Sequence, residues 1–341
     1  MPLTLFTSER FADHLTPPGH PERVERHEVM QVVASEFRQR DGRVVEPRAA
    51  SEEELGRIHD RDYLTQIRET AGRATALDPD TYTSPESYEV ARLAAGAAIT
   101  AVDHVLEAGN GARAMALVRP PGHHAERGRA MGFCLFNNIA VAAAHARARG
   151  LARVAIVDFD VHHGNGTQWS FYGDPTTLFV SSHQFPYYPG TGAADEIGTG
   201  PGAGFTVNLP MAAGGTDADY ERVYGAVALP VLRQFKPQLI LISAGFDAYM
   251  DDPLAGMRLT SGYFGTLTAA IAAVADEHAE GRIVAVTEGG YHLKGLAESL
   301  RATIGALEGH AVAARQDDSP APRGEAAIKA VTPHLANYWR L

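Results

Sequence analysis

The chain has 341 residues, of which 45% are hydrophobic and 21% charged, and its formal net charge is −11. This composition is typical of globular proteins, and it excludes a collagen, a coiled coil or a disordered polymer as a description of the whole chain. An acidic chain has no overall attraction for phosphate groups, so we expect no nucleic-acid partner.

The single cysteine, Cys134, excludes an intramolecular disulfide bond and a zinc site built on cysteines. The N-terminal residues lack the basic segment and the apolar core of a signal peptide, and no stretch of 18 apolar residues occurs. We therefore expect a cytoplasmic protein with no membrane partner. The sequence leaves open whether the chain forms a homo-oligomer.

Short apolar runs alternate with longer helical patterns along the chain. Several of these runs are apolar throughout, as in strands that are buried on both faces. The repeated strand–helix order predicts an α/β fold with a mostly parallel sheet and helices on both faces. The predicted strands are Leu3–Phe6, Ala114–Val118, Val154–Phe159, Thr177–Val180, Phe205–Leu209, Leu239–Ser243 and Ile283–Thr287. The predicted helices are Pro21–Gln39, Glu52–Thr70, Pro85–Glu107, Asn138–Arg149, Asp217–Phe235, Ser261–Glu280 and Lys294–Leu307.

The chain is predicted to form one large domain. Residues 1–315 would make up the catalytic domain, and residues 316–341 a loop and a C-terminal helix that pack on it, because Gln316–Gly324 is the only clear break in composition. The glycine-rich stretch Pro189–Gly204 has no strand directly before it and no helix directly after it, as a dinucleotide-binding loop requires. We interpret it as a surface loop.

Polar residues of the types used in metal binding and acid–base chemistry follow five of the predicted strands. In open α/β sheets, ligands bind at the carboxyl ends of the strands, so these residues predict a site at one edge of the sheet. They are His123 and His124; Asp158, Asp160 and His162; Ser181 and Ser182; Asp247; and Glu288 to Tyr291.

The segment from Asp158 to His162 has the pattern of a metal site. Because alternate residues of a strand face the same side, Asp158, Asp160 and His162 share one face. Carboxylates with an imidazole suit a divalent ion, and Asp160, His162 and Asp247 are the best ligand set, with Asp158 as an inward-facing orienting residue. Three protein ligands leave a coordination position open, which is typical of catalytic sites. A hydrogen-bonded strand end without metal is the alternative.

Two further features of this edge indicate proton transfer and charge stabilisation. The tandem pair His123-His124 follows Pro120-Pro121-Gly122, which limits the motion of the rings, and two imidazoles could move protons between a water molecule and a leaving amine. Tyr291 follows two glycines and could donate a hydrogen bond to an oxyanion. A structural histidine pair and a core tyrosine remain the alternatives.

In combination, six motifs of the chain resemble zinc-dependent histone deacetylases. The resemblance is to the class II branch and to its bacterial relatives, the histone deacetylase-like amidohydrolases and the acetylpolyamine amidohydrolases, and it runs from His20 to about Leu300. It implies the arginase/deacetylase fold, with a central, mostly parallel, eight-stranded sheet. The motifs are Arg119–Ala125, Gly132–Asn138, Asp158–Gln168, Ser243–Ala248, Asp252–Leu254 and Glu288–Tyr291.

The resemblance also implies roles for individual residues. One zinc ion would be held by Asp160, His162 and Asp247. His124 would act as general base and then acid, and His123 mainly electrostatically. Asp158 would hold His123, Asn165 would back His124, and Tyr291 would stabilise the oxyanion. The acyl-lysine channel would be lined by Gly132, Phe133, Tyr188 and Leu254, where Tyr188 departs from the usual phenylalanine. A structural potassium or sodium ion would be held by Asp158, Asp160, His162, Ser181 and Ser182.

The expected reaction is removal of an acetyl or other short acyl group from an amine, with acyl-lysine as the expected substrate. Leu254 occupies the position at which polyamine-selective relatives carry a glutamate, although Asp251 or Asp252 could replace that charge. An acetylpolyamine deacetylase is therefore the main alternative. A ureohydrolase with two manganese ions is less favoured because Gly245 and Tyr249 flank Asp247 and offer no second ligand set. An inactive acyl-lysine binder is the remaining alternative.

Overall fold

The structure is a computed structural model that describes residues 2–311 and 319–341, and within these ranges its centre is a sheet of eight parallel strands. A separate pair of two-residue strands is antiparallel. The strands are β1 (Leu3–Phe6), β2 (Arg43–Val45), β3 (Thr75–Ala76), β4 (Tyr82–Thr83), β5 (Arg113–Ala116), β6 (Val154–Asp158), β7 (Thr177–Gln184), β8 (Thr206–Met211), β9 (Leu239–Ala244) and β10 (Ile283–Thr287). The order across the large sheet is β2-β1-β5-β10-β9-β6-β7-β8.

Helices cover both faces of this sheet. Two buried hydrophobic clusters lie on the two faces. In β6, Ala155 and Val157 belong to the first cluster and Val154 and Ile156 to the second, so both faces of the strand need a cover. The helices are α1 (Val24–Gln39), α2 (Glu52–Leu55), α3 (Arg61–Arg68), α4 (Ser87–Glu107), α5 (Asn138–Ala148), α6 (Asn165–Phe171), α7 (Asp217–Val223), α8 (Leu229–Phe235), α9 (Ser261–His278), α10 (Leu293–Leu307) and α11 (Pro322–Leu335). The first cluster is completed by α1 and α7 to α11, and the second by α3 to α5.

The predicted fold class is confirmed, and the sheet is parallel throughout rather than mostly parallel. Some element predictions were wrong. The predicted helix Glu52–Thr70 is divided into α2 and α3, and a π-helical turn over Tyr224–Ala228 separates α7 from α8 within the predicted helix Asp217–Phe235. Strand β2 and helix α6 were not predicted, because β2 is a partly exposed edge strand of three residues and α6 has only seven.

The C-terminal helix α11 packs on α7 and on the edge strand β8. The backbone N–H groups of Arg323 and Gly324 donate to one carboxylate oxygen of Asp219 at 2.8 and 3.0 Å, which fixes the start of the helix. The predicted boundary between residues 315 and 316 lies outside the described residues. In the two ranges that the structure covers, no helix is long and apolar enough to span a bilayer.

The sheet register brings the predicted site residues to one edge. Asp158 at the end of β6 lies opposite Ser243 of β9 on one side and Ser181 of β7 on the other. Thr287 at the end of β10 lies opposite Ala244 of β9. The loops that follow these strands therefore leave the sheet side by side.

Candidate active site

Asp160, His162 and Asp247 form a buried cluster in which one ligand atom of each lies within 4.8 Å of the others. The Nδ1 atom of His162 is 3.3 Å from Asp160 Oδ1 and 3.1 Å from Asp247 Oδ2. The remaining carboxylate oxygens are held by the protein, since Gly289 N–H donates to Asp160 Oδ2 at 2.8 Å and Val161 N–H donates to Asp247 Oδ1 at 2.9 Å. The cluster thus presents oxygen and nitrogen atoms to a common point, as a divalent ion requires.

The loops that follow β9 and β10 approach these carboxylates so closely that only glycine fits. A Cβ atom at Gly245 would lie 2.0 Å from Asp160 Oδ2, and one at Gly289 would lie 2.2 Å from Asp247 Oδ2. Burial raises the pKa of Asp247 to about 7, and the negative charge of Asp160 adds to this effect. Two buried carboxylates this close repel each other unless a cation lies between them, so the residues fit a divalent metal ion.

His123 is held by a carboxylate behind it. Its Nδ1 atom lies 3.0 Å from Asp158 Oδ2, and Asp158 Oδ1 accepts the backbone N–H of Asp160 at 3.1 Å. Burial opposes a charge on His123, but the nearby carboxylates of Asp160 and Asp158 outweigh burial and raise the pKa of His123 to about 10. These carboxylates thus favour a positive charge on this imidazole, which lies beside the cluster of Asp160, His162 and Asp247.

His124 has the opposite electrostatic environment. Burial, followed by the neighbouring imidazoles of His123 and His162, lowers the pKa of His124 well below its usual range. The rings of His123 and His124 are 4.0 Å apart, and Nδ1 of His124 lies 2.8 Å from Oδ1 of Asn165. A neutral imidazole beside a charged one can accept a proton, as a general base must.

Tyr291 lies on the loop after β10, where Gly290 has a φ of +117° that favours glycine. Its backbone N–H donates to Asp252 Oδ2 at 2.7 Å, its ring meets Phe133 edge-on at 5.8 Å, and the Arg26 guanidinium lies 5.0 Å from the ring centre. Burial raises the pKa of the phenol well above 10 and outweighs the opposite effect of Arg26. The phenol thus stays a hydrogen-bond donor.

A cavity of about 180 Å³ reaches His162 of this cluster. The predicted channel residues Gly132, Phe133, Tyr188 and Leu254 line it, together with His124, His162, Tyr291, Tyr187 and Asp80. The proposed channel residues and two of the proposed catalytic residues, His124 and Tyr291, therefore line one cavity.

Two of these lining residues, Tyr187 and Asp80, were not predicted from the sequence. The ring of Tyr187 stacks on that of His162 at 5.7 Å, and its hydroxyl donates to the carbonyl oxygen of Leu254 at 3.0 Å. Asp80 lies after β3, the first strand of the small antiparallel pair, and brings a carboxylate to the cavity wall. The adjacent tyrosines of Tyr187-Tyr188 were a signal for an aromatic wall, whereas nothing in the sequence indicated Asp80.

A buried ion cluster behind the loops was also missed. The carboxylate of Glu22 accepts hydrogen bonds from Arg119 at 2.5 and 2.8 Å and from Arg26 at 2.9 Å. Although burial raises the pKa of Glu22, its two arginine partners, Arg119 foremost, lower it to about 2. Arg26 also donates to the carbonyl oxygens of Glu288 and Gly290 at 2.5 and 2.8 Å, so this cluster supports the loop that carries Tyr291.

The residues predicted to hold a monovalent cation lie on adjacent strands. Asp158 is opposite Ser181 in the register of β6 and β7. The Ser181 hydroxyl lies 2.9 Å from His183 Nδ1, and the Ser182 hydroxyl lies 2.9 Å from the Tyr224 hydroxyl. The potassium or sodium site stays a prediction.

Comparison with known proteins gives consistent matches. A family model described as the histone deacetylase domain matches residues 20–307. Histone deacetylase 10, chloroplastic, of Oryza sativa subsp. japonica is 44% identical over 285 residues, which are 80% of this chain and 64% of the rice protein. A probable deacetylase of Archaeoglobus fulgidus is 41% identical over 292 residues, covering 84% of this chain and 80% of that protein.

Two more similarities extend the comparison. The polyamine deacetylase HDAC10 of Homo sapiens is 44% identical over 280 residues, which are 77% of this chain and 40% of the human protein. The crystal structure of the HDA15 HD domain superposes with a TM-score of 0.91 at 34% identity and covers 99% of this chain and 95% of that chain. This agreement covers the whole sheet and the helices on both of its faces.

Proposed function

The chain belongs to the histone deacetylase family, and from this we propose that it is a zinc-dependent deacetylase that removes an acetyl or other short acyl group from the side chain of acyl-lysine. The chain spans 64% of the rice relative and 40% of the human one, so activity and substrate are proposals for this protein. The observation that carries the proposal is the buried Asp160–His162–Asp247 cluster, whose His162 lines an aromatic-walled cavity.

The donor set supports one ion per chain. Two carboxylates and one imidazole form the three-ligand set of catalytic zinc sites, and the neighbours of Asp247 at two residues' distance, Gly245 and Tyr249, provide no ligands for a second ion. When bound, the ion would polarise the amide carbonyl and lower the pKa of a water molecule. Asp158, Asp160, His162, Ser181 and Ser182 are also proposed to hold a potassium or sodium ion.

Proton transfer is assigned to the tandem histidines. His124, which is neutral, takes a proton from the attacking water at Nε2 because its Nδ1 is engaged by Asn165. It then returns a proton to the leaving amine nitrogen. His123, charged and held by Asp158, stays protonated and stabilises negative charge near the cluster.

Tyr291 is proposed to stabilise the carbonyl oxygen as negative charge develops on it. The phenol is buried, protonated and fixed through its backbone by Asp252. A preorganised donor of this kind acts on the transition state more than on the ground state. Phe133 and Tyr188 form walls for the apolar stem of an acyl-lysine side chain.

Acetylpolyamine hydrolysis is the second candidate function, and Asp80 is the observation that favours it. Asp80 gives the cavity wall a carboxylate that could attract a cationic amine. Asp252 cannot do so, because it is buried and its oxygens accept three backbone N–H groups. We favour acyl-lysine because the rim position Leu254 is apolar.

The test is turnover by the zinc-loaded protein of an acetyl-lysine fluorogenic peptide, N-acetylputrescine and N8-acetylspermidine, with metal content measured on the same sample. We expect one zinc per chain and the highest kcat/KM for the peptide. Two manganese ions per chain with arginine-like substrates would favour a ureohydrolase. Peptide binding without turnover would favour an inactive reader. The expectation of a cytoplasmic location stays a prediction.

A further inference from the structure

We infer that Glu126 is a positioning residue that fixes the orientation of the Asn165 amide and, through it, the tautomer of His124. This role rests on the proposed function, because it concerns the general base of the same site. Glu126 lies two residues after His124, on the loop between β5 and α5.

The nitrogen of the Asn165 amide is surrounded by acceptors. Asn165 is 1% exposed, and its Nδ2 atom donates to Glu126 Oε1 at 2.8 Å. The same nitrogen lies 3.4 Å from Met131 Sδ and 3.5 Å from the carbonyl oxygen of His124. If the amide were reversed, its oxygen would face all three acceptors, and one of these is a carboxylate. The observed orientation is therefore strongly preferred.

This orientation decides which nitrogen of His124 carries the proton. Asn165 Oδ1 faces His124 Nδ1 at 2.8 Å, and an amide oxygen can only accept a hydrogen bond. The Nδ1 atom must therefore be the N–H of the neutral ring. The lone pair is then on Nε2, the nitrogen that the proposed mechanism needs for taking a proton from water.

An amide needs such help where a carboxylate would not. Both oxygens of a carboxylate accept, so an aspartate behind His124 would select the same tautomer in either orientation. An asparagine selects it only while its nitrogen is occupied. Without the Glu126 carboxylate, a reversed Asn165 could donate to His124 Nδ1 and leave the proton on Nε2, which would make His124 unable to act as a base.

The backbone of Glu126 is itself fixed. His59 Nδ1 donates to the carbonyl oxygen of Glu126 at 3.0 Å, and Glu126 N–H donates to the carbonyl oxygen of Arg129 at 2.9 Å. The Glu126 side chain is half-buried, so its loss should leave the fold intact. The residue can therefore be tested by substitution.

The first test reads the tautomer directly. In ¹⁵N-histidine-labelled protein, with and without zinc, long-range ¹H–¹⁵N spectra should show His124 with the proton on Nδ1, assigned by comparison with His124→Gln. Glu126→Ala should give a mixture of tautomers or the Nε2–H form, whereas Glu126→Gln, which keeps an acceptor oxygen, should resemble the wild type. An unchanged His124 signal in Glu126→Ala would overturn the inference, and this result does not depend on any activity.

The second test uses a second substitution. Glu126→Ala should lower kcat roughly tenfold or more with KM and zinc content unchanged, as expected for a general base in the wrong tautomer. In an Asn165→Asp background, the same substitution should leave kcat unchanged or raise it, because a carboxylate no longer needs orienting and its repulsion by Glu126 is removed. An equal loss of kcat in both backgrounds would show a purely structural role.

Asp60→Ala is the matched control. It removes a carboxylate that contacts the same loop through Arg127 at 2.7 Å but does not touch Asn165. We expect it to leave both the His124 tautomer and kcat as in the wild type, and a tautomer change in Asp60→Ala would count against a specific role of Glu126. If the wild type hydrolyses no acyl amide, the proposed function fails, but the spectra still decide the role of Glu126.

Discussion

Asp252 accepts the backbone N–H of Tyr291 at 2.7 Å, and this hydrogen bond joins the loops that follow β9 and β10. The same Oδ2 atom accepts from His292 N–H at 3.1 Å, while Oδ1 accepts from Leu254 N–H at 3.0 Å. Asp252 is 6% exposed and lies five residues after Asp247. One carboxylate therefore sets the positions of the proposed oxyanion donor and of the channel rim.

We expect Asp252→Asn to lower kcat roughly tenfold, with zinc content retained. The substituted amide has one acceptor end, so it cannot serve all three backbone donors, and Tyr291 would lose its fixed position. The measurement is steady-state kinetics with an acetyl-lysine peptide. In a Tyr291→Phe background, Asp252→Asn should lower kcat little further, because both changes act on the same hydrogen bond to substrate.

Asp219→Asn provides the control for this prediction. Asp219 is also buried, and its oxygens accept backbone N–H groups from Thr216, Arg323 and Gly324, where α7 meets α11. Asp219→Asn should lower the free energy of unfolding, without the selective loss of kcat that is expected for Asp252→Asn. Equal kinetic effects of the two substitutions would mean that Asp252 acts only through the fold.

Tyr291→Phe should keep the fold and the metal and lower kcat on the order of 10²-fold or more, as for loss of one oxyanion-hole donor. The phenyl ring can keep its contacts with Phe133 and Arg26, so packing is preserved. Circular dichroism, zinc content and kcat are measured on the same preparation. An unchanged kcat in the metal-loaded variant would reject the role of this hydroxyl.

The metal prediction is one transition ion per chain, lost when a ligand is removed. Asp247→Asn should weaken zinc binding and abolish activity, because the site loses one of its two anionic ligands. Elemental analysis after dialysis is the measurement, and Asp251→Asn, an exposed neighbour, is the control. Two transition ions per chain, or full activity without any, would contradict it.

The wild type should prefer an acetyl-lysine peptide over acetylpolyamines. Leu254→Glu should raise the relative kcat/KM for N8-acetylspermidine about tenfold, roughly 1.4 kcal/mol, because a carboxylate at the rim pairs with the free amines. The comparison is made at physiological ionic strength to limit the attraction by the net charge. A tenfold advantage of polyamines in the wild type would show that Leu254 does not decide selectivity, and loss of that advantage in Asp80→Asn would assign it to Asp80.

Acid should destabilise the protein through three buried imidazoles. Burial lowers the pKa of His14, His59 and His183 from 6.5 to about 4. Between pH 4 and 6.5 these histidines bind protons in the unfolded chain but not in the folded one. Their contribution to stability is therefore fully present above pH 6.5 and falls as the pH drops toward 4. These three histidines should therefore contribute a decrease in the free energy of unfolding, measured in urea, as the pH falls over this range.

A variant tests this assignment. His59 accepts the backbone N–H of Asn137 at 2.9 Å and donates to the carbonyl oxygen of Glu126, so its neutral ring has both nitrogens satisfied. His59→Gln can keep a donor and an acceptor, and it should reduce the pH slope of stability by about one proton. A slope equal to that of the wild type would remove His59 from the explanation.

The central strands could be predicted from the sequence because burial on both faces leaves an unbroken apolar run, as in Leu239–Ala244 and Ile283–Thr287. Strand β2 could not, because it begins with Arg43 at the edge of the sheet and has only three residues. The predicted helix over residues 52–70 ignored Gly56, where α2 ends. A single glycine is a weak indication of a helix end when the residues around it follow a long polar helical pattern.

In the candidate site, Asp158, Asp160 and His162 were predictable because they lie close together in sequence at the end of an apolar strand, although β6 ends at Asp158 and the other two residues lie in the loop that follows. Hydrogen bonds across loops were not. Tyr291 contacts Asp252 only because the loops after β9 and β10 run side by side, and the paths of loops cannot be predicted from the periodicity of a sequence. Asp80 at the cavity wall was missed for the same reason.

Besides its neighbour in sequence, β7, strand β6 pairs with β9, which lies far along the chain, and this second pairing has a consequence for folding. Val154–Asp158 and Leu239–Ala244 must find each other across a long intervening chain, and such distant pairings form slowly. The proposed ligands Asp160 and Asp247 come together only after that step, so we expect an incompletely folded chain to lack the proposed metal site. Zinc should therefore bind only the completely folded protein, and the melting temperature should rise with the zinc concentration. Zinc binding would then report that folding is complete.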